Sequence, residues 1–291
     1  MHRNFLCWIL ILSFATISIS FVTASAQDAS STRAMIEPVG YNIVDGHLDY
    51  KNPITNPRLM IYPGFSSTNP SIGTAFSDQT VINEMIINKD NRTRILDTRA
   101  TPYRQLGFIN FTIPEGRGGC TGALIGKDTV LTAGHCVTPH RFNITFTPGK
   151  NQDDQPFGVI AAAQVWYDKN YGQDGHDWGI IKLASPIGNE TGWFGMHVSK
   201  SASLRGQSAT IIGYPDDKPK GTLWKDQNVV TKTTENQVYY ATDTFSGQSG
   251  APVLDKNTSI YAIHTSGSGQ QNWGTLLNED LFNVAVNLAR S

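Results

Sequence analysis

The sequence is poor in cysteine, in charge and in helical pattern, and each shortage narrows what the chain can be. Three cysteines occur in 291 residues, and Cys7 falls in an N-terminal stretch that reads as a removable leader. Cys120 and Cys136 remain, enough for only one intramolecular bridge in an oxidising compartment. A metal site on that pair is the weaker reading, since tetrahedral coordination needs two further ligands at suitable spacing. Charged residues are 16% of the chain and the formal net charge is -1, so nothing suggests a general affinity for nucleic acid or anionic membranes. No segment after the leader is apolar enough to cross a bilayer. The sequence lacks H-E-x-x-H or a comparable ligand spacing, and no metal or cofactor is expected.

The leader itself is distinct. M-H-R-N supplies positive charge, F-L-C-W-I-L-I-L-S-F-A-T-I-S-I-S-F-V an apolar core, and A-S-A at 24–26 the small residues of a cleavage site. Residues 1–26 are therefore read as a signal peptide, with an uncleaved membrane anchor as the rival, and the mature protein is expected outside the cell. Residues 27–84 are rich in Asn, Pro, Ser and Thr with weak hydrophobic periodicity. They are read as a pro-segment or a loosely ordered extension, not as a second enzyme domain.

From about residue 85 onward the pattern changes. L-G-F-I-N-F-T-I, T-V-L-T-A, W-G-I-I-K-L and I-Y-A-I-H-T are strand-length apolar runs bounded by turn residues, and 27 glycines and 14 prolines are spread along the chain. Such spacing predicts an antiparallel barrel or sandwich, and 85–291 is long enough for two small barrels sharing a cleft. Only the end reads as helical. N-E-D-L-F-N-V-A-V-N-L-A-R puts Leu281, Val284, Ala285 and Leu288 on one face, with Asn278 as a cap.

The chemistry centres on T-F-S-G-Q-S-G-A-P-V, where Ser249 sits among glycines before an apolar run. A serine hydroxyl is a poor nucleophile without a base within hydrogen-bond reach, and that base needs a partner to fix its tautomer. L-T-A-G-H-C-V offers His135 at the end of an apolar run, and G-H-D-W-G-I-I-K-L offers Asp177 at the start of another. Each residue alone has an ordinary reading: a turn serine, a buried structural histidine, a strand-entry cap with Asp174 as a decoy. Together they follow the chain order His, Asp, Ser of the chymotrypsin type. His140, His176 and His197 are read as surface histidines.

G-C-T-G-A-L-I, V-L-T-A-G-H-C-V, D-W-G-I-I-K-L, Y-A-T-D-T-F-S-G-Q-S-G-A-P-V and I-Y-A-I-H-T-S-G, in this order, resemble the chymotrypsin-like serine proteases, and more closely the secreted bacterial glutamyl endopeptidases. R-T-R-I-L-D-T-R-A-T-P-Y at 92–103 resembles the start of mature enzymes in that group. The resemblance covers 85–291 and implies an all-β, trypsin-like fold of two antiparallel six-stranded barrels with a C-terminal helix. It implies a secreted serine endopeptidase with Ser249 as nucleophile, His135 as proton shuttle and Asp177 as its orienting carboxylate. The N–H groups of Gly247 and Ser249 would line an oxyanion hole, and Cys120 and Cys136 would bridge the histidine loop to its neighbouring strand. A catalytically inactive protease-fold binding protein is the alternative from another class.

Two positions qualify the resemblance. Digestive relatives carry aspartate before the nucleophile, where it pairs with a newly released N-terminal ammonium; neutral Gln248 cannot form that ion pair. Asp243, six residues before Ser249, predicts Arg or Lys specificity when read alone. Thr244 and His264 match positions with which glutamyl endopeptidases bind the carboxylate of Glu, and they favour Glu, and more weakly Asp, at P1; Thr265 to Gly267 would then offer backbone groups to the extended substrate strand. The Glu84–Met85 bond is a plausible self-processing site. Expected partners are protein or peptide substrates and the protein's own residues 27–84; a monomer with no stable membrane association is expected.

Overall fold

The computed structural model describes residues 36–42, 61–66, 86–87, 89–114, 116–268 and 270–291. The leader and the Glu84–Met85 bond lie outside the described residues. In chain order the first strands are β1 (Pro38–Asn42), β2 (Ile61–Tyr62), β3 (Thr93–Ile95), β4 (Leu106–Ile113), β5 (Gly116–Leu124), β6 (Thr129–Thr132), β7 (Phe142–Pro148), β8 (Ile160–Asp168) and β9 (Gly179–Leu183). A one-turn helix α1 (Gly188–Thr191) follows, then β10 (Met196–His197), β11 (Ser208–Gly213), β12 (Leu223–Thr233), β13 (Gln237–Tyr240), β14 (Pro252–Leu254), β15 (Ile260–Ser268), β16 (Gln271–Leu276) and helix α2 (Glu279–Arg290).

Strands β4 to β9 pair in the order β8-β7-β4-β5-β6-β9, and β8 closes on β9. Strands β11 to β16 pair in the order β14-β11-β12-β13-β16-β15, and β14 closes on β15. These are the two six-stranded antiparallel barrels anticipated from the resemblance, and closure leaves neither with a free long edge to aggregate. Burial of inward-facing residues drives each one. Leu106, Ile109, Val130, Phe146, Val165 and Ile181 fill the first barrel, and Ala209, Ile211, Val230, Val238, Val253 and Ala262 the second.

Helix α2 buries the predicted face of Leu281, Val284, Ala285 and Leu288, widened by Phe282, Val286 and Ala289. Asn278 Oδ1 accepts from Leu281 N at 3.0 Å, and Glu279 and Asp280 place negative charge at the positive end of the helix dipole. At the other end the Leu288 carbonyl accepts from Thr129 Oγ1 and Lys182 Nζ, which ties the helix to the first barrel.

Residues 27–84 contribute more order than their composition suggests. Strand β1 runs antiparallel to β8 from Pro38↔Asp168 to Asn42↔Gln164. Tyr41 adds a hydrogen bond from its hydroxyl to Val137 O at 2.8 Å, two residues after His135. Strand β2 pairs with β10, and Phe65 and Trp193 exchange backbone hydrogen bonds at 2.8 Å in both directions. One described piece of the extension thus adds to the first barrel and another to the second. The first is held by a five-residue backbone ladder, and the second by two ladder pairs together with Tyr62 in the core and Phe65 stacked on Trp193.

Candidate active site

His135 stands in a single 3-10 turn, Gly134–Cys136, directly after β6. Asp177 precedes β9 and meets that turn twice: Oδ1 accepts from His135 N at 2.9 Å, and Oδ2 lies 2.9 Å from His135 Nδ1. So close an approach needs a glycine beside the histidine, because a Cβ on Gly134 would lie 2.8 Å from Trp178 O and 3.1 Å from Asp177 Oδ1. Trp178, fully buried, anchors the aspartate end, and Thr275 Oγ1 on β16 reaches across to Asp177 O at 3.2 Å. Cys136 is joined to Cys120 on β5, so the histidine turn is bonded to its neighbouring strand. Cys120, His135 and Cys136 cluster closely, but both sulfurs are taken by the disulfide.

Ser249 is half-buried in the loop between β13 and β14. Its carbonyl accepts from Thr121 N at 2.9 Å, and Cys136 Sγ lies 3.9 Å from the same oxygen. The loop that carries Ser249 therefore touches β5 and the disulfide that hold the histidine turn. The Ser249 hydroxyl makes no hydrogen bond to another described residue. Such contacts in ligand-free enzymes commonly tighten only when substrate binds.

The loop before Ser249 is tightly specified. Gly247 has φ +91, and a Cβ there would lie 2.5 Å from Tyr214 O. Ser246 O accepts from Asp216 N at 2.7 Å and Gly247 O accepts from Thr121 Oγ1 at 2.9 Å. In a trans peptide the N–H points opposite to the C=O. With the Ser246 carbonyl held by Asp216, the Gly247 N–H is turned away from Asp216. Among the described residues the N–H groups of Gly247 and Ser249 have no acceptor, whereas Gln248 N donates to Phe245 O.

The pocket residues have contrasting environments. Thr244 is fully buried and its hydroxyl has no partner among the described residues. His264 is buried, with Nδ1 2.7 Å from the Tyr240 hydroxyl, and burial with the nearby His135 pushes its pKa down to about 3. Thr265 sits at a register shift in the β15–β16 pairing, its Oγ1 3.4 Å from Trp273 O. Asp243 is committed elsewhere. Its Oδ1 accepts from Ile87 N at 2.8 Å, and its Oδ2 from Asn91 N at 3.0 Å and Asn91 Nδ2 at 3.2 Å.

The depressed His264 pKa has a consequence for stability. Below pH 6.5 the unfolded chain takes up a proton that folded His264 refuses, so stability falls as pH drops from 6.5 toward about 3. The slope is about 1.4 kcal/mol per pH unit. His264→Gln abolishes this share of the acid sensitivity. Urea unfolding at pH 7 and pH 5 should show wild type losing about 2 kcal/mol more than the variant. Equal losses would refute the neutral-histidine assignment.

One sequence expectation is corrected. His176 is not a surface histidine but is buried, with Nδ1 2.9 Å from Asp168 Oδ2; Trp178 Nε1 donates to the same oxygen at 3.0 Å. Asp168 is itself fully buried, and a buried carboxylate needs such donors. His140 and Asp174 are exposed, and His197 bonds Ser259 Oγ through Nδ1. Arg92 was missed altogether: its side chain is fully buried beside Gln248, and its partners Asp217 and Gln248 lie 125 and 156 positions away in sequence.

A family model described as Trypsin matches residues 98–277. The chain belongs to the trypsin family. It is 36% identical over 218 residues to an extracellular metalloprotease of Bacillus subtilis (strain 168), covering 70% of each chain. It is 35% identical over 224 residues to a glutamyl endopeptidase of Bacillus licheniformis, covering 71% of this chain and 69% of the relative. A solved Glu endopeptidase structure in complex with MPD superposes with TM-score 0.64 at 29% identity, over 71% of this chain and 100% of that one. The trypsin-family protein is thus a chymotrypsin-like serine endopeptidase of the glutamyl endopeptidase group. No helix among its described residues is long and apolar enough to cross a membrane.

Proposed function

We propose that the protein is an exported endopeptidase that cleaves after Glu, and less readily after Asp, with Ser249, His135 and Asp177 as its catalytic groups. Ser249 Oγ attacks the scissile carbonyl carbon as His135 Nε2 takes its proton. Asp177 Oδ2, 2.9 Å from Nδ1, keeps Nε2 free to act as the base and stabilises the imidazolium that forms. The oxyanion is received by the N–H groups of Gly247 and Ser249, which have no other acceptor among the described residues. Collapse breaks the C–N bond while His135 returns its proton to the departing amine. Water, activated by the same imidazole, then releases the acid and restores Ser249.

The observation that carries the specificity is the contrast between Thr244 and Asp243. The Thr244 hydroxyl is buried with no partner, a costly state that a substrate carboxylate would relieve. Asp243, the carboxylate that would select Arg or Lys, already accepts three N–H groups from residues 87 and 91. His264 completes the site. Burial keeps the Tyr240 phenol protonated, so it can donate to His264 Nδ1 and leave an N–H at Nε2 for the P1 carboxylate. The open edge of β15 at 265–267, beyond its pairing with β14, suits an extended substrate strand. Residues 1–26 serve as leader and 27–84 as a pro-segment, and the enzyme works as a monomer.

A cleavage-site profile on a denatured proteome is expected to be dominated by Glu before the cut, with Asp a minor second. Efficient cutting after Arg with none after Glu would overturn the specificity. His264→Ala should lower turnover of Glu substrates about a hundredfold or more with the fold retained, because an unpaired buried carboxylate costs several kcal/mol. Labelling by a serine-reactive phosphonate is expected for the wild type and excludes the inactive binding protein. A chelator should leave activity unchanged, since both sulfurs beside His135 are bonded to each other; its loss would favour metal-dependent hydrolysis.

A further inference from the structure

Arg92 has a fully buried guanidinium whose contacts run to two carboxylates and one amide. Its Nε and Nη2 donate to Asp90 at 3.0 Å each, its Nη1 and Nη2 to Asp217, and its Nη1 also to Gln248 Oε1 at 3.3 Å. Lys218 Nζ reaches Asp90 Oδ2 at 2.7 Å and lies over the Trp224 ring. Two cations thus face two anions, and the charges balance without Gln248. The amide is an additional partner, and it immediately precedes Ser249.

Gln248 is fully buried, and its Oε1 accepts from both Arg92 Nη1 and Phe245 N, the latter at 3.0 Å. Its Nε2 has no acceptor among the described residues. The amide orientation is therefore decided by the two donors at its oxygen; reversing it would set NH2 against N–H at both contacts. Gln248 N also donates to Phe245 O, so one side chain closes the loop 245–248 into a ring with Arg92 at its back.

We propose that Arg92 is a positioning residue for the oxyanion loop. Through Gln248 Oε1 it closes the loop 245–248 and fixes the 248–249 peptide, so that the Ser249 N–H converges with the Gly247 N–H, oriented by the Asp216 bond to Ser246 O, on the charge that develops during attack. The inference rests on the reading of Ser249 as nucleophile. An internal guanidinium keeps its charge whether or not the chain is cut upstream, so this loop needs no newly freed ammonium to hold its shape.

The test compares Arg92→Met, Gln248→Met, their double variant and Lys218→Met, all expressed as the full chain. Readouts are kcat, KM, and inhibition by a peptide aldehyde ending in Glu, which forms an oxyanion, against the matching peptide acid, which does not. Arg92→Met and Gln248→Met should each lower kcat and weaken the aldehyde by about 100-fold, with KM and acid binding changed by no more than about threefold. The double variant should be no worse than either single one. Lys218→Met, which disturbs the same ion network away from Gln248, should lower the urea midpoint and keep kcat. The proposal is overturned by a folded Arg92→Met with unchanged kcat, by losses that multiply in the double variant, or by an equal kcat loss in Lys218→Met. If Arg92→Met does not fold, Gln248→Met decides alone, and an unchanged kcat refutes the idea. Wild-type enzyme that resists phosphonate labelling would instead sink the underlying reading of Ser249.

Discussion

Ser249→Ala is expected to reduce kcat by roughly a million-fold while the protein stays folded. The hydroxyl makes no hydrogen bond to a described residue, so its removal orphans no buried partner. The Ser249 carbonyl, bonded to Thr121 N, and the disulfide behind it are untouched. Substrate binding, which the proposed function assigns to Thr244, His264 and the edge of β15, should survive, so the loss appears in kcat with KM nearly unchanged. Some acceleration should remain from the N–H groups of Gly247 and Ser249, roughly a thousandfold over water. Steady-state kinetics on a Glu-containing peptide checks this; a loss below a hundredfold would exclude Ser249 as nucleophile. N-terminal sequencing of the same variant reads out maturation. Retention of residues 27–84 in the variant alone would make processing autocatalytic.

Asp177→Asn is expected to lower kcat by about 10,000-fold, again with little change in fold. The carboxylate accepts at both oxygens, from the His135 backbone N–H and at its Nδ1. An amide has one oxygen. If that oxygen keeps the backbone N–H, the NH2 group faces Nδ1, which must then accept. The proton moves to Nε2, and the imidazole presents a donor to Ser249 where a base is needed. Circular dichroism and urea unfolding should place the variant close to wild type. A kcat within tenfold of wild type would show that Asp177 is not the orienting group.

Much of this architecture could be read before any coordinates. The four strand-length runs quoted from the sequence became β4, β6, β9 and β15, because a short apolar run bounded by turn residues is a local property of sequence. The face of α2 and its Asn278 cap were legible for the same reason, since both depend on neighbours three or four residues apart. Strand β1 was not legible. P-V-G-Y-N carries little apolar pattern, and its ladder partners on β8 lie over a hundred positions away. His176 was misread because Asp168, the carboxylate that lets it be buried, belongs to the end of another strand.

The site divides in the same way. The sequence by itself determined which groups could do chemistry: an imidazole and a carboxylate at strand boundaries, a serine among glycines, and one pair of cysteines. Side-chain type and local spacing are enough for that. Only the tertiary structure decided how each group is used, because charge and hydrogen-bond capacity depend on neighbours distant in the chain. It tied Asp243 to the N–H groups of Ile87 and Asn91, left the Thr244 hydroxyl without a partner, held His264 neutral by burial and set Arg92 behind Gln248. A buried polar group must find its partner wherever the fold brings one, and no local pattern records where that is.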